Sequence, residues 1–451
     1  MPIISSISGL RATLCDSLDT ELVTKYATAF SKVIPSGTVV LGNDGRPSGK
    51  WIEEVVTSVL SANGYEVISL GVVPTPFVQL YVEHLKAAGG IAITASHNPS
   101  EWNGLKFINH FGVFFNKTEN EELWSHLDDA SITNPSISTE NLIHNIEKPT
   151  LHLELVQKLF PQDLLDKVRA MKLKVVVDAV NASGSIVIPE LLEFLGCEVV
   201  RLYCDRSGIF PHTPEPIPEN LTELEKAVSA RSADLGIAVD PDADRLVLVD
   251  ETGALIGEER TITLTTKSVL AMFDIFSGKF EKTVCVNLST TKAVEDVANE
   301  FGADFFRSAV GEINVVNLMK EKKAVIGGEG SGGVILPAFH YGRDSVIGTT
   351  LILLLLAKYE TTLSKINRTV PNYAMLKTKM PFAGSLLSNI QKLKEVYKGS
   401  KISDIDGIRI DFENSWVQLR ASNTEPILRI IAEAETLEEA EKLVAEIRNM
   451  I

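Results

Sequence analysis

The alternation of short apolar runs with helix-like stretches constrains this chain more than any other feature. Thr38-Val-Val-Leu-Gly42 leads into a helix-like segment from Gly49 to Ala62, and the alternation continues through Ile93. Leu173-Lys-Val-Val-Val-Asp178 is followed by a helical stretch from Ile188 to Leu195 and a strand from Cys197 to Tyr203. A third round has a strand at Thr283–Asn287, a helix at Thr291–Glu300 and a strand at Ala324–Ile326. Strand–helix alternation lays successive strands side by side in one direction, so each round predicts an α/β domain with a mainly parallel, mixed sheet. After about Ile366 the pattern changes. Strands at Gly407–Asp411, Trp416–Leu419 and Ile427–Ala432 cluster before a terminal helix at Leu437–Arg448, as in a smaller α+β domain. A chain of 451 residues exceeds one typical core. The expected division is 1–150, 151–252, 253–366 and 367–451, with the polar segment from Asn116 to about Pro149 closing the first domain.

Four loops carry candidate chemistry. In Thr94-Ala-Ser-His-Asn-Pro99, Ser96 lies just past the apolar run Gly-Gly-Ile-Ala-Ile (89–93). Ligands of open α/β sheets bind beyond strand carboxyl ends, so Ser96 fits a phosphate carrier; the plain alternative is a turn capped by Ser96, His97 and Asn98. In Asp240-Pro-Asp-Ala-Asp-Arg245 three carboxylates alternate over five residues. Such a concentration of negative charge calls for a hard cation held by oxygen, and Asp240, Asp242 and Asp244 are the predicted ligands. The spacing also matches an EF-hand, but the position that needs glycine is Arg245 and both flanks read as strands. A solvated acidic hairpin is the bland alternative.

The third loop, Gly327-Gly-Glu-Gly-Ser-Gly-Gly333, contains a formal G-x-G-x-x-G match from Gly328. Pro337 blocks the helix that a dinucleotide site needs next. A loop that lets Glu329 and Ser331 approach a polyhydroxylated ligand fits better. The fourth, Arg420-Ala-Ser-Asn-Thr-Glu-Pro426, combines a guanidinium with Ser422, Asn423 and Thr424, the parts of a phosphate cradle; Arg429 adds a second charge.

In this order, the four loops resemble those of the α-D-phosphohexomutase family. Ser8-Gly-Leu-Arg11, Gly42-Asn-Asp-Gly-Arg46 and Asp178-Ala-Val-Asn-Ala-Ser-Gly184 extend the resemblance over nearly the whole chain. It implies three α/β domains and a smaller C-terminal α+β domain around a central cleft, the last domain moving as a lid. It also implies interconversion of hexose 6-phosphate and hexose 1-phosphate, with Ser96 as the phosphoryl carrier. Magnesium would sit on Asp240, Asp242, Asp244 and a Ser96 phosphoryl oxygen. A hexose 1,6-bisphosphate would be intermediate and activator. Glucosamine phosphate is the first expected substrate, mannose and glucose phosphates the second; a non-catalytic sugar-phosphate or metal-binding protein is the reading from a different class. Arg11, Arg245 and Lys106 are expected to stabilise charge or move a proton. Lys106 is preferred for proton transfer, because an ammonium can lose its proton where arginine does not, with His97 as the alternative. Two positions depart from the family pattern. Val310-Gly-Glu-Ile313 has isoleucine where a basic residue is common, and the sugar loop ends in Gly333 where histidine is common, leaving His340 or Arg343 to substitute.

A net charge of −16 argues against a nucleic-acid partner and requires local arginines to attract an anionic sugar. No apolar run approaches a membrane span, the longest being Leu351–Ala357, and the N-terminus does not read as a signal peptide. Cys15, Cys197, Cys204 and Cys285 form no C-x-x-C pair, so neither zinc nor a disulfide framework is expected. A cytoplasmic monomer or homodimer is the expected form.

Overall fold

The computed structural model describes residues 3–14, 16–128, 143–146, 148–382, 386–421 and 427–451. They fall into two compact units: residues 1–261 with 332–365, and residues 262–331 with 366–451.

The first unit holds two sheets. The larger orders its strands Ile4–Ser6, Gly9–Thr13, Trp102–Asn109, Gly89–Ile93, Thr38–Asn43, Glu66–Val72 and Ile143–Asn145. Half of its pairings are antiparallel, more than strand–helix alternation implies. The reason is loop length. Residues 94–101 are too few for a crossover, so the strand leaving Gly89–Ile93 must return antiparallel. The same holds at residues 240–245, which join Leu235–Val239 to Leu246–Asp250 as a hairpin. Leu235–Val239 then pairs in parallel with Lys174–Asp178, and that strand with Glu198–Tyr203. Both candidate loops are therefore short turns clamped by fully buried strands, Gly89–Ile93 on one side and Leu235–Val239 with Leu246–Asp250 on the other.

The larger sheet packs on Leu10, Val23, Phe30, Ile52, Ile91, Phe107 and Phe115, which are buried together. The apolar run at Leu351–Ala357 lies in the helix Ser345–Tyr359, buried on every side from Ser345 to Ala357. A helix apolar all round belongs in a core, and no helix among the described residues is long and apolar enough to cross a membrane. The segment after Asn116 is more ordered than its polarity suggests. Residues Lys117–Ser125 form a helix, because Asn116 and Glu119 make a reciprocal capping box. Residues 129–142 of that segment lie outside the described residues.

The second unit contains the parallel strands Asp304–Ser308, Glu281–Asn287 and Ala324–Glu329. It also contains an antiparallel sheet ordered Ala374–Pro381, Ile427–Ala434, Trp416–Ala421, Ile408–Asp411 and Lys401–Ser403. The strand Ala374–Pro381 and the helix Leu387–Val396 extend the three strands and terminal helix expected there. Cys197, Cys204 and Cys285 are free thiols, while Cys15 lies outside the described residues.

Candidate active site

The first unit brings Ser96 against the aspartate loop. Ser96 is 1% exposed, and its hydroxyl donates to Asp240 Oδ2 at 3.0 Å. Its backbone is left-handed, φ +52°, a conformation unusual for a non-glycine residue and one that must be held in place. Arg46 and Asp44 hold it. Arg46 is 2% exposed and donates to the carbonyls of Ser96 (2.6 Å), Asn98 (2.7 Å), Pro99 (2.7 Å) and Trp102 (3.1 Å). Its Nε donates to Asp44 Oδ2 at 2.9 Å, which also accepts from the Thr94 hydroxyl at 2.6 Å; Thr94 Oγ1 in turn accepts the Ser96 amide. The Gly42–Arg46 motif thus serves as the scaffold of the serine loop, a role that spacing alone did not assign.

Asp240, Asp242 and Asp244 are essentially inaccessible, and one oxygen from each lies within 4.8 Å of the others. Asp242 and Asp244 each commit one oxygen to protein, whereas both oxygens of Asp240 are bonded, Oδ2 to Ser96. Asp240 Oδ1 accepts the Arg245 amide. Asp242 Oδ2 accepts from Thr75 Oγ1 (2.7 Å) and Lys106 Nζ (2.6 Å). Asp244 Oδ2 accepts from Lys106 Nζ (3.2 Å) and Arg343 Nη2 (2.6 Å). Asp242 Oδ1 and Asp244 Oδ1 are left buried with no hydrogen-bond partner among the described residues. A buried acceptor without a donor is costly, and these two oxygens, with Asp240 Oδ2 beside the Ser96 hydroxyl, make an all-oxygen pocket suited to a hard divalent cation. The residues present fit that group.

Charges follow the geometry. Burial raises Asp240 well above the usual carboxylate range, and Asp244 and Asp242 add to the rise. Asp244 is driven low, because Arg343, Lys106 and Arg245 outweigh its burial. Burial lowers Lys106, but Asp242 and Asp244 more than offset this and its pKa is raised. Lys106 is thus an ammonium locked between two carboxylates, unlike the readily deprotonated lysine preferred from sequence. His97 is pushed down to about 2 by burial and by Arg245 and Arg11; its neutral Nδ1 lies 3.3 Å from Ser96 Oγ. Arg11 donates to Asn98 Oδ1 at 2.8 Å.

Asp240 yields a pH prediction. A carboxyl whose folded pKa is raised contributes stability below its unfolded pKa and loses it as pH rises through the folded value. Without a cation, the Tm should fall as pH rises through that raised value. Because a cation requires the ionised carboxylate, its affinity and its stabilisation should grow over the same range, with a proton released on binding. Thermal unfolding with and without Mg2+ across pH checks this. A cation-induced shift that shrinks with rising pH would contradict it.

Arg343 answers the departure at Gly333. A Cβ built on Gly333 would lie 2.3 Å from Arg343 Cδ, so a side chain at 333 and this placement of Arg343 exclude one another. Arg343 occupies that space and reaches Asp244. His340, the other sequence candidate, is 2% exposed and bonded to Asp344.

Glu329, Ser331, Arg420 and Arg429 belong to the second unit. Glu329 Oε1 accepts from Asn287 Nδ2 (2.7 Å) and from the Gly311 amide (3.2 Å). Ile313 is 7% exposed and packs inward from the first turn of the helix Glu312–Lys322. Arg420 Nε donates to Asp406 Oδ1 at 2.9 Å, and Asp406 Oδ2 accepts the Val310 amide. Sheet register places Arg420 opposite Arg429, and Arg429 opposite Lys379. Like charges directly opposite repel, so this row favours an anion above it. Lys379 was not anticipated; only strand pairing brings it there. Ser422, Asn423 and Thr424 lie outside the described residues.

Comparison with known proteins gives the family. Sequence models of phosphoglucomutase/phosphomannomutase α/β/α domains I, II and III and of the C-terminal domain match residues 4–133, 152–253, 261–373 and 370–450. The chain is 35% identical over 443 residues to a phosphoglucomutase/phosphomannomutase of Thermococcus kodakarensis, covering 96% of this chain and 94% of that protein. It is also 35% identical over 453 residues to a "probable phosphoglucosamine mutase" of Methanosarcina barkeri, covering 97% and 98%. A crystal structure of a phosphoglucomutase/phosphomannomutase family protein from Burkholderia thailandensis shares the fold, with TM-score 0.81 at 24% identity over 99% of this chain and 97% of that one. With four domain models in sequence and relatives matched end to end, this chain belongs to the phosphoglucomutase/phosphomannomutase family, a family of phosphosugar mutases acting on small-molecule sugar phosphates.

Proposed function

We propose that the chain interconverts hexose 6-phosphate and hexose 1-phosphate through a phosphorylated Ser96, with glucosamine phosphate as the preferred sugar. The observation that carries this is Ser96 Oγ, held 3.0 Å from Asp240 in a buried nest of three carboxylates and four cations. In the forward half-reaction the phosphoserine P–O bond breaks and a new P–O bond forms to a free sugar hydroxyl. The hydroxyl proton passes to His97, the imidazole beside Ser96, once the negative phosphoryl group on Ser96 offsets the Arg245 and Arg11 charges that, with burial, hold its basicity low in the unphosphorylated chain, and the sugar becomes a bisphosphate. In the return half-reaction the other phosphoryl group moves to Ser96 Oγ, and the proton returns to the oxygen it leaves. Arg11, Arg245, Arg343 and Lys106 stabilise the charge spread over the transferring group, the main demand of phosphoryl transfer. Magnesium, held by Asp240, Asp242, Asp244 and an oxygen of the Ser96 phosphoryl group, would add further electrostatic stabilisation when bound. Arg420, Arg429 and Lys379, with Ser422, Asn423 and Thr424, bind the non-reacting phosphate, while Glu329 and Ser331 bind sugar hydroxyls or the amine.

The equal identity to the Thermococcus protein supports mannose and glucose phosphates as the second reading. Coupled assays on glucosamine 1-, mannose 1- and glucose 1-phosphate, primed with glucose 1,6-bisphosphate, separate the two. The highest kcat/KM is expected for glucosamine 1-phosphate. A higher value for mannose or glucose would favour the second reading, and no turnover of any would overturn both.

A further inference from the structure

The first unit contains a cavity of about 310 Å³ behind the aspartate loop that the phosphoryl-transfer reading does not use. This is the lower end of the range for small-molecule sites. Its walls are largely apolar, with Val73, Phe77, Ile186 and Val187 among them, while Lys148 and Arg206 supply cations. Lys148 lies 3.7 Å from Glu190. Arg206 is exposed, has no ion pair among the described residues, and is held in a left-handed backbone, φ +67°. Two cations against one carboxylate, on a chain of net charge −16, give this cavity a local preference for an anion.

The same walls hold the aspartate loop in three places. Ser183, a lining residue, donates through both its amide (3.2 Å) and its hydroxyl (2.6 Å) to the carbonyl of Pro241. Pro74, another, precedes Thr75, whose amide and hydroxyl bind the carbonyl and carboxylate of Asp242. His152, a third, bonds Asp344 at 3.0 Å, next to the Arg343 that reaches Asp244. A fourth connection runs to the serine loop. Gly208, two residues beyond Arg206, packs on the Gly45 carbonyl so closely that a Cβ would lie 1.9 Å from it, and Phe210 lies 4.7 Å from the Arg46 guanidinium.

The geometry points to a binding site for a small organic anion with an apolar body, whose occupancy shifts the aspartate loop and hence its affinity for a divalent cation. The apolar walls take the body and Arg206 takes the charge. The coupling part rests on the cation reading of Asp240, Asp242 and Asp244, whereas the binding part does not.

The test uses 1-anilinonaphthalene-8-sulfonate, an aromatic sulfonate, titrated by fluorescence into the whole metal-free chain. Saturable one-site binding is expected. Arg206→Ala, on an exposed side chain, should weaken it about tenfold, and Val187→Trp, which fills the cavity, should abolish it. No binding, or binding indifferent to Arg206→Ala, would overturn the site, even if Val187→Trp failed to fold. Calorimetric titration of Mn2+ with and without saturating sulfonate then tests the coupling, with a shift in Mn2+ affinity of about fivefold or more expected. Equal affinities would overturn the coupling. Absence of any Mn2+ binding would overturn the cation reading and leave the fluorescence result standing by itself.

Discussion

Ser96→Ala should lower kcat/KM by about 10^4-fold or more while leaving the fold intact, because a phosphoryl carrier has no substitute once its oxygen is gone. The substitution deletes one hydroxyl and its 3.0 Å bond to Asp240. Alanine tolerates the left-handed backbone at position 96 about as well as serine does, so the stability loss is confined to leaving Asp240 Oδ2 buried without its donor, about 1–3 kcal/mol. Rate and stability therefore separate at this position. A structural serine would show the opposite pattern, with stability lost and turnover kept. Steady-state assays beside urea unfolding distinguish the two.

Arg46→Ala should damage both. Its guanidinium is buried and bonds four carbonyls of the serine loop together with Asp44. Removing one partner of a buried ion pair costs about 3–5 kcal/mol. Burial already raises Asp44, with Arg46 opposing the rise, so an unpaired Asp44 should take up a proton and the loss should lie toward the lower end. The Ser96–Trp102 loop then loses the clamp on its left-handed residue. A displacement of about 1 Å at a reacting atom costs about 100-fold in rate. Arg46→Lys should recover little of either, since an ammonium cannot match the planar fork that reaches four carbonyls. Chemical unfolding and single-turnover rates check this pair of effects. A stable, fully active Arg46→Ala protein would contradict the clamp.

The contrast between these two residues shows what sequence could reveal. Ser96 and the aspartates were legible because each follows a continuous apolar strand, and a polar loop after such a strand has few roles. The hairpin around residues 240–245 was legible for the same reason. Arg46 was visible as part of a motif, but its function depends on carbonyls some fifty positions away, which only pairing of the strand Thr38–Asn43 with Gly89–Ile93 brings near. Thr75 and Lys379 belong to the same class: nothing local marks Thr75 as the partner of Asp242, or Lys379 as the neighbour of Arg429. The charge state of Lys106 was also hidden. Its surroundings depend on Asp242 and Asp244, and the fold supplies both where composition would suggest only burial. The helix Lys117–Ser125 was obscured by its polarity, although its capping box is written in Asn116 and Glu119.

The most direct test of the central claim follows the phosphoryl group itself. The purified chain is mixed with glucose 1,6-bisphosphate labelled in its phosphates, quenched within one turnover, and read by intact mass and peptide mapping. A single labelled phosphoryl group is expected on the peptide carrying Ser96, transferred onward to hexose monophosphate at the rate of turnover. Full mutase activity with label absent from Ser96, or placed on another residue, would contradict it.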